Sequence, residues 1–392
     1  MNNTKWPIKK LEEICRIRTG KKDVDEGNPE GKYPFFSCSR EITYSDTYSF
    51  DTEAILIAGN GDVGATKIYK GKFEAYQRTY VLDAFTDNIK YIYYYLLGNL
   101  KKILVRSKSG STMPYIRKGD LENFRIPIPE DPNIQQKIVS ILDTIQEAIN
   151  IQNKIIETTK ELKKSMMADL FKYGGPSFRK NRKLKKTEIG EIPENWEVVR
   201  LGEVCEKPQY GLSTSAVEEN TGIKLLRITD IQEEKVNWRL VPFCKCTKND
   251  FEKYKLIEGD IVVARIGATT GKTYFINTSP ASVFGSYLIR IRPKNLLGAN
   301  FLRYYFQLDL YWKQINLAKG GRLKGGINIP IIENLQVPLP PLPEQREIAD
   351  ILQTIDQKIE IEQKKKELYE ELFKTMLNKI FTGEIDVEKI EI

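Results

Sequence analysis

The stretch Gly267-Ala268-Thr269-Thr270-Gly271-Lys272-Thr273 gathers glycines, hydroxyls and a lysine, the residue types that cradle a phosphate. Its two glycines stand one residue too close for a phosphate-binding loop, so a nucleotide site is not expected. It reads instead as a turn of small residues, either a plain tight hairpin or one that lets backbone approach DNA closely. Cys244-Lys245-Cys246 would suit a metal only with a second pair of ligands. The chain has no histidine, and Cys15, Cys38 and Cys205 stand apart. The five cysteines therefore read as reduced thiols in a cytoplasmic protein, with no metal site. Without histidine the usual general base and every Ser-His or Cys-His nucleophile are missing. The carboxylates show no spacing that marks an acid–base pair, and no Asn-Pro-Pro-aromatic run, the mark of adenine amino methylation, occurs. These absences shift the expectation from catalysis toward binding.

Binding chemistry is better supplied. Arg179-Lys180-Asn181-Arg182-Lys183-Leu184-Lys185-Lys186 is a basic cluster that reads equally as a solvated linker or as an element lying along phosphates. The net charge of +8 is unevenly placed: +3 over residues 1–131, +1 over 132–173, +3 over 174–195, +6 over 196–342 and −5 over 343–392. A modest basic excess permits nucleic-acid contact without proving it. At 392 residues the chain suits two or three units, each with its own core. No apolar stretch approaches the ~18 residues of a membrane helix, and Met1 to Gly20 is charged throughout, without a signal-peptide core.

The elements that must position these residues come in duplicate. Trp6, Leu11, Ile14 and Cys15 recur as Trp196, Leu201, Val204 and Cys205. Ile55-Leu56-Ile57-Ala58 recurs as Ile261-Val262-Val263-Ala264, each followed by glycines; Tyr91, Tyr94 and Tyr95 recur as Phe301, Tyr304 and Tyr305. Gly110 recurs as Gly320, and Pro127 and Pro129 as Pro338 and Pro340. The preserved order and long period argue for two duplicated domains. Within each half, strands are expected at Ala54–Ala58, Thr66–Tyr69 and Gln77–Leu82, and at Ile223–Ile228, Asp260–Arg265, Thr273–Ile276 and Ser286–Ile291. Short buried helices are expected at Tyr91–Leu97 and Phe301–Leu308.

Each half then ends in a long helix behind a proline-rich start. The apolar stripe of the first includes Ile138, Leu142, Ile145, Ile149, Ile155, Ile156, Leu162, Met166 and Leu170. That of the second includes Ile348, Leu352, Ile355, Ile359, Leu372 and Met376. Steps of three and four with charges between predict a coiled-coil seam. A helix of roughly 40 residues spans roughly 60 Å. If the stripes pair, the second helix must run antiparallel to the first, giving a dumbbell of two similar heads on a helical bar with approximate two-fold symmetry. The other arrangement is two tandem domains, each with its helix packed on its own head. The fold class expected is α+β. Two similar basic heads at a fixed separation suit DNA with two half-sites, and the heads have diverged: Tyr33-Pro34-Phe35-Phe36-Ser37 aligns with Ile223-Lys224-Leu225-Leu226-Arg227.

Taken together, the sequence resembles type I restriction–modification specificity subunits. The residues that carry the resemblance are the opening Trp-x4-Leu-x2-Ile/Val pattern, Gln209-Tyr210-Gly211, and the strand Ile223–Asp230 leading into Ile231. Most specific is Val337-Pro338-Leu339-Pro340-Pro341-Leu342-Pro343-Glu344-Gln345-Arg346-Glu347-Ile348. Its counterpart Ile126-Pro127-Ile128-Pro129 with Gln135-Gln136 is weaker, because Pro-Glu-Gln has become Asn133-Ile134-Gln135. The ending Ile380-Phe381-Thr382-Gly383-Glu384-Ile385 also fits.

The resemblance implies target-recognition domains at 1–131 and 196–342, conserved helices at 132–173 and 343–383, a basic linker at 174–195 and a tail at 384–392. It implies a non-catalytic subunit that reads a bipartite DNA target. Modification subunits, two of them, would dock on the helices and bring S-adenosylmethionine; restriction subunits would bring ATP and magnesium. The acidic surplus of the second helix fits a protein-facing element. Candidate DNA contacts are Arg18, Lys21, Lys67, Gln77, Arg78, Lys108 and Arg117 in the first half, and Gln209, Tyr210, Arg227, Arg265, Lys272, Arg322 and Lys324 in the second. Arg and Gln side chains can pair with guanine and adenine edges, whereas Lys suits phosphates. Two rival readings are a coiled-coil assembly scaffold that does not read DNA and a phosphate-loop enzyme.

Overall fold

The nine-residue strand Phe50–Ala58 carries apolar side chains on both faces. Ile55 and Ile57 turn into a large core, and Ala54 and Leu56 into a smaller one on the opposite side. This strand is central to the first of two units in the computed structural model, which describes residues 6–106, 115–180, 182–232, 235–295, 297–320 and 325–390. Unit one is Met1–Ile155 with Glu362–Ile392, and unit two is Ile156–Ile361.

In unit one a six-stranded sheet runs in the order Arg16–Thr19, Thr79–Asp83, Phe50–Ala58, Thr66–Ala75, Tyr33–Phe36, Thr43–Ser45. Neighbours are antiparallel except Tyr33–Phe36 beside Thr66–Ala75. A separate ribbon joins Ile8–Lys10 to Arg125–Pro127. The helix expected over Tyr91–Leu97 is longer, Ile89–Arg106, and Leu100 continues the buried stripe of Ile92 and Leu96 by a further step of four.

Unit two repeats this order with one break. Its sheets run Gln209–Tyr210, Leu288–Ile291, Ile261–Ala264, Thr273–Phe275, and Ala216–Val217, Phe243–Cys244, Lys224–Leu226, Ser282–Phe284. Lys224–Leu226 and Ser282–Phe284 are parallel, matching the one parallel pair of unit one. In unit one the single strand Thr66–Ala75 serves both neighbours. Its counterpart in unit two is interrupted by Asn277-Thr278-Ser279-Pro280, and Pro280 has no N–H to give a ladder. The expected strands over Gln77–Leu82 and Ser286–Ile291 begin two residues later, at Thr79 and Leu288. The residues before them form matched turns, in which Thr79 N–H donates to Tyr76 O at 2.8 Å and Leu288 N–H to Gly285 O at 2.9 Å.

Two long helices, Pro132–Tyr173 and Leu342–Thr382, pack antiparallel. In unit one Ile138, Leu142 and Ile149 share a core with Phe373, Leu377, Ile380 and Phe381; in unit two Met167, Leu170 and Phe171 share one with Ile348 and Leu352. The seam differs in one respect from the stripe read off the apolar residues. Beyond Ile149 it keeps Ile156 and Leu170 of that stripe but takes Gln152, Lys163 and Met167 in place of Ile155, Leu162 and Met166. Leu162 is 51% exposed and Leu372 44%, with Phe373 buried beside the latter. Met166, Met376, Ile145, Ile355 and Ile359 are half-buried at its border. Gln152 and Lys163 hold seam positions because each meets a partner there: Gln152 Nε2 donates to buried Glu362, and Lys163 Nζ lies 2.6 Å from Asp356 Oδ1.

Residues 174–195 are not a free linker. They form a hairpin of Leu184–Thr187 with Gly190–Pro193 in unit two, and Arg182 is bound to buried Glu344.

Candidate nucleic-acid interface

In unit one, backbone bonds gather the ends of the sheet strands at one edge. Gly59 N–H donates to Arg78 O at 2.9 Å, Ile116 N–H to Gly59 O at 2.8 Å, and Gln77 N–H to Lys22 O at 2.9 Å. The approach at Gly59 requires glycine, since a Cβ there would lie 2.5 Å from Arg78 O. Lys21, Gln77, Arg78 and Arg117 are thereby brought to one edge. Lys21 and Arg78 are exposed, and their side chains have no partner among the described residues. Gln77 Nε2 donates to Asp23 at 3.0 Å, and Arg117 Nη2 to the exposed Tyr115 hydroxyl at 2.7 Å.

Arg18 and Lys67 hold structure together. Buried Asp83 accepts two bonds from Arg16, at 2.9 and 3.0 Å, and another from Arg18, whose guanidinium lies 4.8 Å from the Phe50 ring centroid. Burial opposes the charge on Asp83, but bonds from Arg16 and Arg18 outweigh it and hold its pKa below the ordinary carboxylate value. Lys67 donates to Ser39 O and Arg40 O at 3.2 and 3.0 Å, and burial lowers its pKa. The structure adds Arg40 and Lys101 to this edge, both bonded to Asp62 in the glycine loop. Their bonds, Lys101's first, hold the Asp62 pKa down.

Unit two repeats the backbone step with other side chains. Arg265 N–H donates to Tyr287 O at 3.0 Å and Ile327 N–H to Arg265 O at 2.9 Å. The Arg265 guanidinium lies 4.6 Å from the Tyr210 ring centroid and donates to Ser286 O at 3.3 Å. Tyr210's hydroxyl accepts from Ile329 N–H at 3.3 Å. Gln209 is committed inward, accepting from Arg290 at 2.6 Å. Arg227 binds Asp230 through two nitrogens at 2.7 and 3.0 Å, which raises its pKa. Gly267 to Lys272 forms the hairpin turn between Ile261–Ala264 and Thr273–Phe275, closed by Gly271 N–H to Ala264 O at 2.8 Å. A strand follows it where a phosphate-binding loop would lead into a helix. Lys272 is exposed, without a side-chain partner among the described residues. Lys108, Arg322 and Lys324 lie outside the described residues. Tyr287, exposed at the turn, is an edge residue that residue type and spacing did not single out.

The proline-rich helix starts do a different job. Glu344, fully buried, accepts from Trp196 Nε1 at 3.0 Å, Gly175 N–H at 3.1 Å and Arg182 Nη2 at 3.0 Å. Gln345 accepts from Gly298 N–H and donates to Pro340 O, both at 2.7 Å. Gln135 does the same in unit one with Asn88 N–H and Pro129 O, both at 3.0 Å. Ile134 stands where unit two has Glu344, and the buried Trp6 Nε1 has no partner among the described residues.

Among the described residues no His, Cys, Asp or Glu group could hold a metal, and no helix is long and apolar enough to cross a membrane.

The profile of the family described as Type I restriction modification DNA specificity domain matches residues 3–163 and again 193–371. The Type I restriction enzyme EcoDI specificity subunit of Escherichia coli is 28% identical over 375 residues, covering 88% of this chain and 80% of its own length. The MjaVIII specificity subunit of Methanocaldococcus jannaschii is 29% identical over 406 residues, covering 98% and 94%. The crystal structure of a type I restriction–modification S subunit from M. genitalium superposes with a TM-score of 0.62 at 19% identity over 97% of both chains. That likeness speaks to fold.

Proposed function

Because the chain belongs to the type I restriction–modification DNA specificity family, we propose that residues 1–131 and 196–342 are two target-recognition domains, each reading one half of a bipartite DNA sequence. The chain is a specificity subunit: it binds DNA and scaffolds methyltransferase and restriction subunits, and is not itself catalytic. S-adenosylmethionine, ATP and magnesium belong to those partners. Two modification subunits are assigned to the long helices (132–173 and 343–383). The free thiols, four of them buried, suit a cytoplasmic setting.

One observation carries the two-reader assignment: the same backbone step at the sheet edge of each unit bears different side chains, Gly59 with Arg78 in one and Arg265 with Tyr287 in the other. Conserved geometry with exchanged chemistry is what two readers of different sequences need. Lys21, Arg78, Arg117, Arg265 and Lys272 are assigned to DNA contact. Arg18, Lys67 and Gln209 position the edge. Mapping methylated adenines in a genome expressing this chain with its partners is the test. A split motif is expected, and a continuous one would overturn the two-reader assignment.

A further inference from the structure

Unit two holds a cavity of about 290 Å³ lined by Leu212, Ala216, Leu225, Ile228, Thr229 and Tyr287, among others. It opens beside the Gly285–Tyr287 turn, the counterpart of Tyr76-Gln77-Arg78 in unit one. Glycine at 285 leaves room where Tyr76 brings a side chain. We propose that this cavity is a specificity pocket receiving the 5-methyl edge of a thymine in the second half-site. The inference rests on the reading of residues 196–342 as a DNA-reading domain.

The lining selects the ligand. Leu212, Leu225 and Ile228 give an apolar floor. The cation at its rim, Arg227, is already bound through two nitrogens to Asp230, so among the described lining residues no positive charge is left free for a phosphate or a guanine. The hydroxyls of Thr229 and Ser286 remain as donors. In the major groove only thymine presents an apolar group, and its O4 acceptor lies beside it. Unit one has no glycine at this turn and presents Arg78 instead, a side chain suited to a guanine edge. The two domains thus differ in the class of base edge each takes at one matched position.

The test uses the assembled complex with its methyltransferase partners and duplexes carrying the mapped target. Each thymine of the second half-site is replaced in turn by deoxyuridine, which removes only the methyl group. One position is expected to bind about 4-fold more weakly, the loss of one buried methyl. In Gly285→Tyr that discrimination should vanish while the first half-site is read unchanged. A Cβ at 285 would meet its neighbours at 3.5 Å or more, so the backbone accepts a side chain there. Ala216→Leu, at an exposed lining position, narrows the pocket from its rim and should blunt the same discrimination. A second half-site without thymine, no uracil effect, or discrimination that survives both variants would overturn the pocket. Failure of the complex to bind any split target would instead overturn the underlying reading.

Discussion

At the step where Gly59 N–H meets Arg78 O, unit one carries its arginine on the turn leading into Thr79–Asp83. At the matching step in unit two, Arg265 N–H meets Tyr287 O, and the arginine has moved to the neighbouring strand end. The backbone bonds are the same, while the guanidinium has no partner among the described residues in one unit and is laid over Tyr210 in the other. The second contrast is at the helix starts. Unit two locks its helix start through Glu344 and three donors, whereas unit one has Ile134 and an unpaired Trp6 Nε1 among the described residues. At the Gly59 and Arg265 step, by comparison, the backbone bonds are kept while the side chains that would meet DNA are exchanged.

That comparison can be broken most directly by exchange. Replacing residues 196–342 with the second head of another family member should change one half-site and leave the other intact, read from methylated-adenine maps; a change in both would end the idea of independent readers. Next in size, Glu344→Ala should destabilise unit two by about 3–5 kcal/mol, since Arg182, Trp196 and Gly175 lose a buried partner. Ile134→Ala should cost unit one only about 1–2 kcal/mol for a half-buried side chain. Denaturant unfolding with hydrogen exchange resolved by unit would show equal losses if the contrast were empty.

Arg78→Ala should relax base preference at one position of the first half-site by about 1–3 kcal/mol, read by competition with single-base variants. Uniform weakening across variants would reassign Arg78 to phosphate. Acid sharpens the contrast further. The pKa of Asp83 lies below its unfolded value of about 3.9, so its stabilisation is complete above that value and fades as pH falls through the folded value. Asp83→Asn should therefore remove that part of the acid dependence from unit one and leave unit two unchanged, at a cost of roughly 1–2 kcal/mol near neutral pH. The smallest effect is expected from Lys272→Ala. The assembled complex should hydrolyse ATP as before at saturating DNA, while the salt dependence of binding flattens by about one phosphate contact. ATP binding by the isolated chain, abolished by this substitution, would restore the phosphate-loop reading.

The duplication, the antiparallel helices and their proline-rich starts were legible because each rests on local pattern or on repetition. The seam was legible in full up to Ile149, and past that point at Ile156 and Leu170. Beyond Ile149, Gln152 and Lys163 look like surface residues until Glu362 and Asp356 are placed opposite them, so apolar counting slips onto Leu162. At the edge, residue type found Arg78 and Lys272 but could not separate them from Arg18 or Gln209, which partners far along the chain have already claimed. Glu344 belonged to the most recognisable motif, yet its work is structural, and only the convergence of Gly175, Arg182 and Trp196 reveals that.

The chain's order of synthesis meets an inverted order of completion. Unit two is made of one uninterrupted segment, Ile156–Ile361, whereas unit one needs Glu362–Ile392. Phe373, Leu377, Ile380 and Phe381 fill its main core, and Lys137 Nζ reaches Ile390 O across 253 residues of chain. The first head leaves the ribosome before the second but is completed after it, with Ile138 and Leu142 lacking their cover until residues 362–392 are made. A ribosome stalled, or a frame lost, before residue 362 would therefore strike unit one harder than unit two. Quality control would receive a nascent protein whose second half can close while its first still exposes an apolar helix face.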